Sequence, residues 1–342
     1  VTLYALSKAG LLLSAKSVND HLEAKKKDIW LNVLPHFHTG GLSQHARAYL
    51  SKSKVVDFSH SPWSPDNFIK LLNTHEITLT SLVPTQLYDL VKCKMKIPKS
   101  LRAILIGGSK LDEELYFKSR ELGYPILPTY GMTEVGSQIA TAELSTIKSN
   151  FSNNNKTFPH LKILPHVKIS NISGCLAVKS DSLFTMKVIL DIGTNEQAKE
   201  EHRLEIDDQH LSIEVLRRVG DWFVTKDVGE IFNNFISIEG RSDQSIKISG
   251  ELINLNQLND LLTKVSNCNV GIILARSEAR RGNELYLVLP ISYYSDSEKW
   301  IRQFNKSVLP VSKIHSVYYV NELPRTELGK IKIQEVKKIL GL

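Results

Sequence analysis

The sequence of 342 residues has only three cysteines, Cys93, Cys175 and Cys268, set far apart. That spacing supplies neither a disulfide framework nor a Cys-x-x-Cys metal knuckle, and it fits a reducing cytoplasm. Long apolar runs are missing too. None approaches the roughly 18 residues that cross a bilayer, and Leu11-Leu12-Leu13 has no basic leader ahead of it, so the chain reads as soluble with no membrane span. Nor does one sign of charge dominate: 43 Lys and Arg against 36 Asp and Glu leave a formal +7, which suits a polyanionic small molecule as readily as nucleic acid. The lysines are dispersed, and Lys25-Lys26-Lys27 is most simply a solvated face, so no nucleic acid partner is expected. There is no internal repeat and no heptad seam. What remains is ordinary globular composition, 42% hydrophobic and 23% charged, enough for about two domains. The first residue is valine, so the numbering is read as beginning after processing or after an earlier start.

From Ile29 to about Ser145, short apolar runs alternate with amphipathic stretches, the habit of βαβ units around a mainly parallel sheet. Leu31 to Leu34, Ile77 to Val83 and Leu101 to Ile106 read as buried strands. Asp66 to Thr74 reads as a helix with apolar positions 68, 69, 71 and 72, Pro84 opens a second, and Asp112 to Leu122 forms a third that Gly123 stops. Ser149 to Lys156 is rich in turn formers and reads as a surface loop. Beyond it, Val167 to Ser170, Cys175 to Lys179, Phe184 to Val188, Trp222 to Thr225 and Val228 to Phe232 predict a β-rich part. From Gly240 the pattern changes to a small α+β domain, with a helix near Asn256 to Val265 and strands at Val270 to Ala275 and Leu285 to Pro290. The expected fold class is therefore α/β: a large N-terminal domain with a mainly parallel sheet and a β-rich part, then a small C-terminal domain.

Single local signals leave alternatives open. Gly107-Gly108-Ser109 after a buried strand is either a phosphate loop or a tight turn. Thr133-Glu134 is either a hard-cation holder or a helix cap. His36 and His38 flank Phe37 and would share a face of an extended segment, but two histidines make an incomplete zinc site and no third ligand is evident.

The order of segments is more specific. Leu34-Pro-His-Phe-His-Thr-Gly-Gly-Leu42, Ile104-Leu-Ile-Gly-Gly-Ser-Lys-Leu111 and Thr129-Tyr-Gly-Met-Thr-Glu134 are followed by Gly174 to Lys179, Asp221 to Gly229, Gly240 to Glu251 and Pro324-Arg-Thr-Glu-Leu-Gly-Lys330. This series resembles the acyl-adenylate-forming, AMP-binding superfamily over nearly the whole chain. The continuation Thr133 to Thr141 looks most like o-succinylbenzoate-CoA ligases of menaquinone biosynthesis, some of which are short.

The resemblance implies a large domain over 1–239 with a truncated N-terminal subdomain and its β-rich part at about 160–239, a hinge at 240–243, and a small mobile domain over 244–342. It implies ATP, Mg²⁺ and CoA as cofactor and co-substrates, and a small-molecule carboxylic acid as partner. A homo-oligomer is compatible with it. Lys330 matches the lysine that bridges carboxylate and phosphate oxygens during adenylation. Thr133 would address phosphate and Glu134 would hold Mg²⁺. Gly108, Ser109, Tyr130 and Gly131 would line the nucleotide cleft, with the Tyr130 ring on adenine. Asp227 matches the ribose-binding carboxylate and Arg241 an arginine near the same ribose. Asp243 matches the hinge residue, and Ser249 and Gly250 the segment that shapes the CoA tunnel.

The family's glycine-rich phosphate loop is the main departure. Its place is taken by Val1 to Gly10 ahead of Leu11 to Ser14, where most glycines and hydroxyls are absent and only Ser7, Lys8 and Ser14 could substitute. Backbone N–H groups of such a loop cradle phosphates, so weaker ATP binding is expected. Lys226 before Asp227, Cys175 after Gly174, and Leu255 and Gln257 also depart from the pattern. Two alternatives follow: a ligase for another aromatic or fatty acid, or a nucleotide-binding relative that has lost turnover.

Overall fold

The structure, a computed structural model, describes residues 2–148, 157–192, 203–206, 209–217, 220–242, 245–266, 271–325 and 331–341. The stretch Ser149 to Lys156, Cys268, Asp243 and Lys330 lie outside the described residues. The chain divides into two units, Val1–Gly240 and Arg241–Leu342.

The first unit opens with β1 (Thr2–Ala5), α1 (Lys8–His21), β2 (Ile29–Asn32), α2 (Thr39–Ser51) and β3 (Lys54–Asp57). Next come α3 (Pro65–Thr74), β4 (Leu79–Leu82), α4 (Pro84–Lys92), β5 (Ala103–Ile106) and α5 (Glu113–Glu121). Then β6 (Ile126–Met132), a 3₁₀ turn at Thr133–Val135, β7 (Ser137–Thr141), α6 (Ser145–Lys148) and β8 (Leu161–Ile163) follow. The β-rich part holds β9 (Lys168–Ile172), β10 (Cys175–Lys179), β11 (Met186–Ile192), β12 (Arg203–Ile206), β13 (Gln209–Arg217), β14 (Trp222–Val224), β15 (Asp227–Phe232) and β16 (Phe235–Arg241).

Local chemistry sets several of these bounds. Ser64 caps α3 by accepting from the Asn67 amide, Pro65 pre-sets its first turn, and Phe68 and Leu72, four residues apart, face the core. Asp112 caps α5, with Glu113 and Glu114 at the positive end of the helix dipole and Lys118 and Arg120 at the negative end.

Nine strands form the main sheet in the order β15-β16-β8-β7-β6-β5-β4-β2-β3. β6, β5, β4, β2 and β3 run parallel, while β7, β8 and β16 extend the sheet by antiparallel pairing. β5 explains the burial. Ile104 and Ile106 join Leu31, Phe68, Leu72 and Leu90 on one face, whereas Ala103 and Leu105 join Trp30, Val18 and Ala48 on the other. Alternate residues of one strand thus feed two cores, because helices cover both faces of a parallel sheet. Smaller antiparallel sheets, β1-β11-β13-β12 and β14-β10-β9, complete the unit.

Besides the short α6 and a short helix at Ile333–Ile339, two longer helices, α1 and α2, escape the sequence reading. The core face of α1 carries Ser14, Ser17 and Asn19, and that of α2 carries Ser43, Gln44 and Arg47; buried polar groups erase the apolar period that marks a helix. Gly40 and Gly41 further lower the helical propensity of α2, yet Gly41 is required, since a Cβ there would lie 2.3 Å from the Pro35 carbonyl oxygen.

The second unit contains β17 (Ser245–Ile248), β18 (Glu251–Asn254), α7 (Leu255–Ser266), β19 (Ile272–Glu278), β20 (Gly282–Pro290), α8 (Tyr294–Lys306), β21 (Ser316–Val320) and α9 (Ile333–Ile339). β20 lies between antiparallel β19 and parallel β21. Leu285 and Leu287 pack with Leu258, Leu262 and Phe304, and Tyr286 and Val288 with Val336, so this sheet too is covered on both faces.

Candidate functional site

In the parallel sheet the chain passes outward from β2 to β3 and then back across β2 to β4. Ligands of open α/β sheets bind in the crevice that such a reversal opens at the carboxyl ends of the strands. Six of the residues singled out in the sequence stand at that end. Gly108 and Ser109 follow β5, Tyr130 and Gly131 lie in the last half of β6, and Thr133 and Glu134 form the 3₁₀ turn after it.

The glycines are there for close approach. A Cβ on Gly107 would lie 2.6 Å from Thr129 Oγ1, a hydroxyl that donates to the Ile106 carbonyl at 3.1 Å. Gly108 has φ +90°, which L side chains rarely adopt. At Gly131, beside the β6–β7 register shift, a Cβ would lie 2.2 Å from the Ser137 carbonyl oxygen.

Tyr130 and Asp227, 97 residues apart, meet in a hydrogen bond: the phenol donates to Asp227 Oδ2 at 2.7 Å. Asp227, at the start of β15, also receives positioning from Thr225, whose hydroxyl oxygen accepts the Asp227 amide at 3.0 Å. A carboxylate carries two oxygens with several lone-pair sites, the acceptor type that a pair of sugar hydroxyls requires. Thr133 is exposed and Glu134 half-buried.

Glu134 has a partner the sequence did not foretell. Tyr4 in β1 hydrogen-bonds the Glu134 carboxylate, and burial, then the Glu134 charge, raise the phenol's pKa well above its usual value. The Tyr4 ring packs edge-on against Phe184 at 5.1 Å, whose amide donates to the Glu134 carbonyl at 2.8 Å. A half-buried carboxylate at the crevice fits Mg²⁺, which binds through one or two carboxylates while keeping phosphate and water ligands.

The stretch expected in place of a phosphate loop is not a loop. β1 pairs with β11, from Thr2 opposite Ile189 to Ala5 opposite Met186, and Ser7 then caps α1 by accepting from the Gly10 amide at 2.9 Å. Of the groups that could substitute there, Ser7 is used in the cap and Ser14 is buried, leaving Lys8 exposed.

Arg47 is the second group the sequence did not disclose. It is 1% exposed, reaches from α2 to Ser137 Oγ at 3.0 Å, and sits 5.5 Å from the centroid of Trp30. Its Nε has no hydrogen-bond partner, and no salt bridge to it occurs among the described residues. Burial pushes its pKa down to about 9, which still leaves a cation at neutral pH. A buried cation with no anion beside it is costly. Its only sequence signal is an arginine among the small and polar residues Ser43, Gln44, Ala46 and Ala48.

In the second unit, Arg241 ends β16. Ser249 and Gly250, with φ of +50° and +90°, form the two-residue turn of the β17–β18 hairpin, whose register pairs Ile248 with Glu251. Asp243 and Lys330 are outside the described residues. The pairing of His36 with His38 is corrected: His36 turns to Asp57 at 2.7 Å, whereas His38 sits at the start of α2 against Phe37. Sharing a face of an extended segment does not apply, because the chain turns into the helix.

Residues 5–169 match the family described as AMP-binding enzyme. The 2-succinylbenzoate--CoA ligase of Lactococcus lactis subsp. lactis (strain IL1403) is 26% identical over 333 residues, 94% of this chain and 66% of that protein. The ligase of the same name from Bacillus subtilis (strain 168) is 38% identical over 128 residues, 37% of this chain and 26% of that protein. Among solved structures, an o-succinylbenzoate CoA synthetase double mutant from Bacillus subtilis with its product analogue OSB-NCoA matches with a TM-score of 0.72 at 23% identity, over 98% of this chain and 66% of that one. The chain thus spans just under two thirds of the length of these relatives. Sequence order and these likenesses agree: the chain resembles the AMP-binding enzymes, and residues 5–169 match that family directly.

Proposed function

We propose that the chain is an ATP-dependent acid-CoA ligase, with o-succinylbenzoate as its acid and menaquinone biosynthesis as its setting. The observation that carries this reading is the Tyr130–Asp227 hydrogen bond of 2.7 Å, which joins the aromatic and acidic groups suited to adenine and ribose beside the Gly107-Gly108 turn. The names of the Lactococcus and Bacillus relatives support the choice of acid.

In the first step a carboxylate oxygen attacks the α-phosphorus of ATP and pyrophosphate leaves; in the second the CoA thiol attacks the acyl carbon and AMP leaves. Asp227 accepts from the ribose hydroxyls, the Tyr130 ring covers adenine, and Gly108 and Ser109 form the wall beside it. Thr133 donates to phosphate. Mg²⁺ held by Glu134 would neutralise phosphate charge. Lys330 supplies a cation to the oxygens where charge accumulates, the main contribution expected in such a site, and Asp243 serves as the hinge. o-Succinylbenzoate has two carboxylates and only one reacts. Arg47, buried without a carboxylate partner among the described residues, is assigned to the other.

Incubation with Mg-ATP, CoA and a panel of carboxylic acids, read by mass spectrometry, is the test. AMP with o-succinylbenzoyl-CoA is expected, and Lys330→Ala lowers adenylation roughly 10²–10³-fold. A different thioester refutes the acid and keeps the ligase. The second reading, a nucleotide-binding relative without turnover, is favoured by β1 and by Tyr4 on Glu134, in the stretch where most glycines and hydroxyls of a phosphate loop are absent. Nucleotide retention with no AMP formed would select it. In the ligase reading the Michaelis constant for ATP exceeds that of relatives with the loop.

A further inference from the structure

A different cluster lies where β3 ends the nine-stranded sheet. Between β3 and β6 stand β2, β4 and β5, so the cluster sits at the edge of the sheet and shares no residue with the Tyr130–Asp227 pair. Three parts of the chain converge there: the loop after β2 supplies His36, α2 supplies His45, and the last residue of β3 supplies Asp57. Asp57 Oδ2 faces both rings, 2.7 Å from His36 Nε2 and 3.5 Å from His45 Nε2. One donor atom from each residue lies within 4.8 Å of the others. The side chains are 38%, 38% and 30% exposed for His36, His45 and Asp57, so an ion from solvent has access.

A histidine beside a surface aspartate is by itself an ion pair. Two imidazole nitrogens and a carboxylate oxygen around one point are a donor set, and it is that of borderline divalent ions, not of Mg²⁺ or Ca²⁺, which take oxygen ligands. Ligand atoms about 2 Å from zinc at tetrahedral angles stand about 3.3 Å apart. The His45–Asp57 pair already has this spacing, and the His36–Asp57 pair reaches it by a small side-chain rotation. The surroundings hold the donors in place. Asp57 Oδ1 accepts from the Ser59 amide at 3.0 Å and from Asn32 at 3.4 Å, and Asn32 is itself fixed by Gln44 at 2.8 Å. Outer partners of this kind orient metal ligands. Ser59 Oγ, 2.8 Å from His36 Nε2, gives way when that nitrogen coordinates.

We propose that His36, His45 and Asp57 form a site for a divalent transition-metal ion of the zinc class, with a fourth position left to water. The ion ties a loop and a helix to the strand at the sheet's edge. Binding N and not the unfolded chain, it raises stability by mass action.

The test uses the whole chain, stripped with chelator and titrated with Zn²⁺ against a chromophoric chelator, and with Co²⁺ followed by visible absorption. One equivalent of Zn²⁺, a Co²⁺ spectrum of tetrahedral intensity, and a rise in thermal midpoint with Zn²⁺ but not Mg²⁺ are expected. His45→Ala, His36→Gln and Asp57→Asn each weaken Zn²⁺ at least tenfold, while exposed His75→Ala leaves it unchanged; circular dichroism verifies that each variant folds. Binding that survives His45→Ala and Asp57→Asn, binding lost equally in His75→Ala, or no Zn²⁺ held by the folded wild-type chain would overturn the proposal.

Discussion

The two ends of the same parallel strands are built on opposite rules. At the amino ends, Asp28, with its side chain 4% exposed, accepts from Arg102 Nε and NH2, each at 2.8 Å, from Thr78 at 2.8 Å and from the Lys25 amide at 2.7 Å. Arg102 spends its remaining reach on the Leu22 carbonyl at 2.7 Å. At the carboxyl ends, Gly107 and Gly108 keep side chains away, Tyr130 donates to Asp227, and Arg47 is buried in α2 without a carboxylate partner among the described residues. The first end closes its charges on each other, so it contributes stability. The second forgoes stability at Arg47 and in its glycines, and on the proposed function it is this end that supplies affinity.

The largest expected effect breaks the closed end. Asp28→Asn costs about 3 kcal/mol, since the buried carboxylate gives up charge-assisted hydrogen bonds from Arg102, Thr78 and the Lys25 amide, measured by denaturant unfolding. Burial works to raise the Asp28 pKa, but hydrogen bonds from Arg102, Lys25 and Thr78 outweigh it and hold it below the usual 3.8. A depressed carboxylate stabilises fully above its unfolded pKa, and that contribution is lost as pH falls through the lower folded value. Wild type therefore loses stability on acidification below about pH 4, and Asp28→Asn loses less over the same range, as unfolding at stepped pH would report.

At the open end the direction reverses. Arg47→Met removes a buried cation, so stability is unchanged or higher, while affinity for a dicarboxylic acid falls about 100-fold, as for a buried charge pair broken on one side. Equal loss for monocarboxylic acids would detach Arg47 from the second carboxylate. Smallest is Tyr130→Phe, which deletes one hydrogen bond to a charged acceptor. It costs about 1.5 kcal/mol or less in stability and weakens AMP several-fold by releasing Asp227.

Legibility in the sequence followed the same division. β5 and α3 announced themselves by their apolar pattern, and α5 by the glycine that ends it. α1 and α2 did not, because Ser14, Asn19, Gln44 and Arg47 occupy their buried faces. The adenylate residues were named from the order of motifs, but nothing in that order joins Tyr130 to Asp227 or Tyr4 to Glu134, which are tertiary events. In the sequence His36 is paired with His38 alone, a set too incomplete for a metal. His38 is adjacent in the chain, whereas His45 and Asp57 arrive only when α2 and β3 fold back beside β2.

Isothermal titration of AMP into wild type and Asp227→Ala tests the central claim most directly. Saturable 1:1 binding by wild type, weakened at least tenfold in a folded Asp227→Ala variant, is the predicted result. AMP binding unaffected by the loss of that carboxylate would contradict the assignment of the crevice between β5, β6 and β15 to the nucleotide.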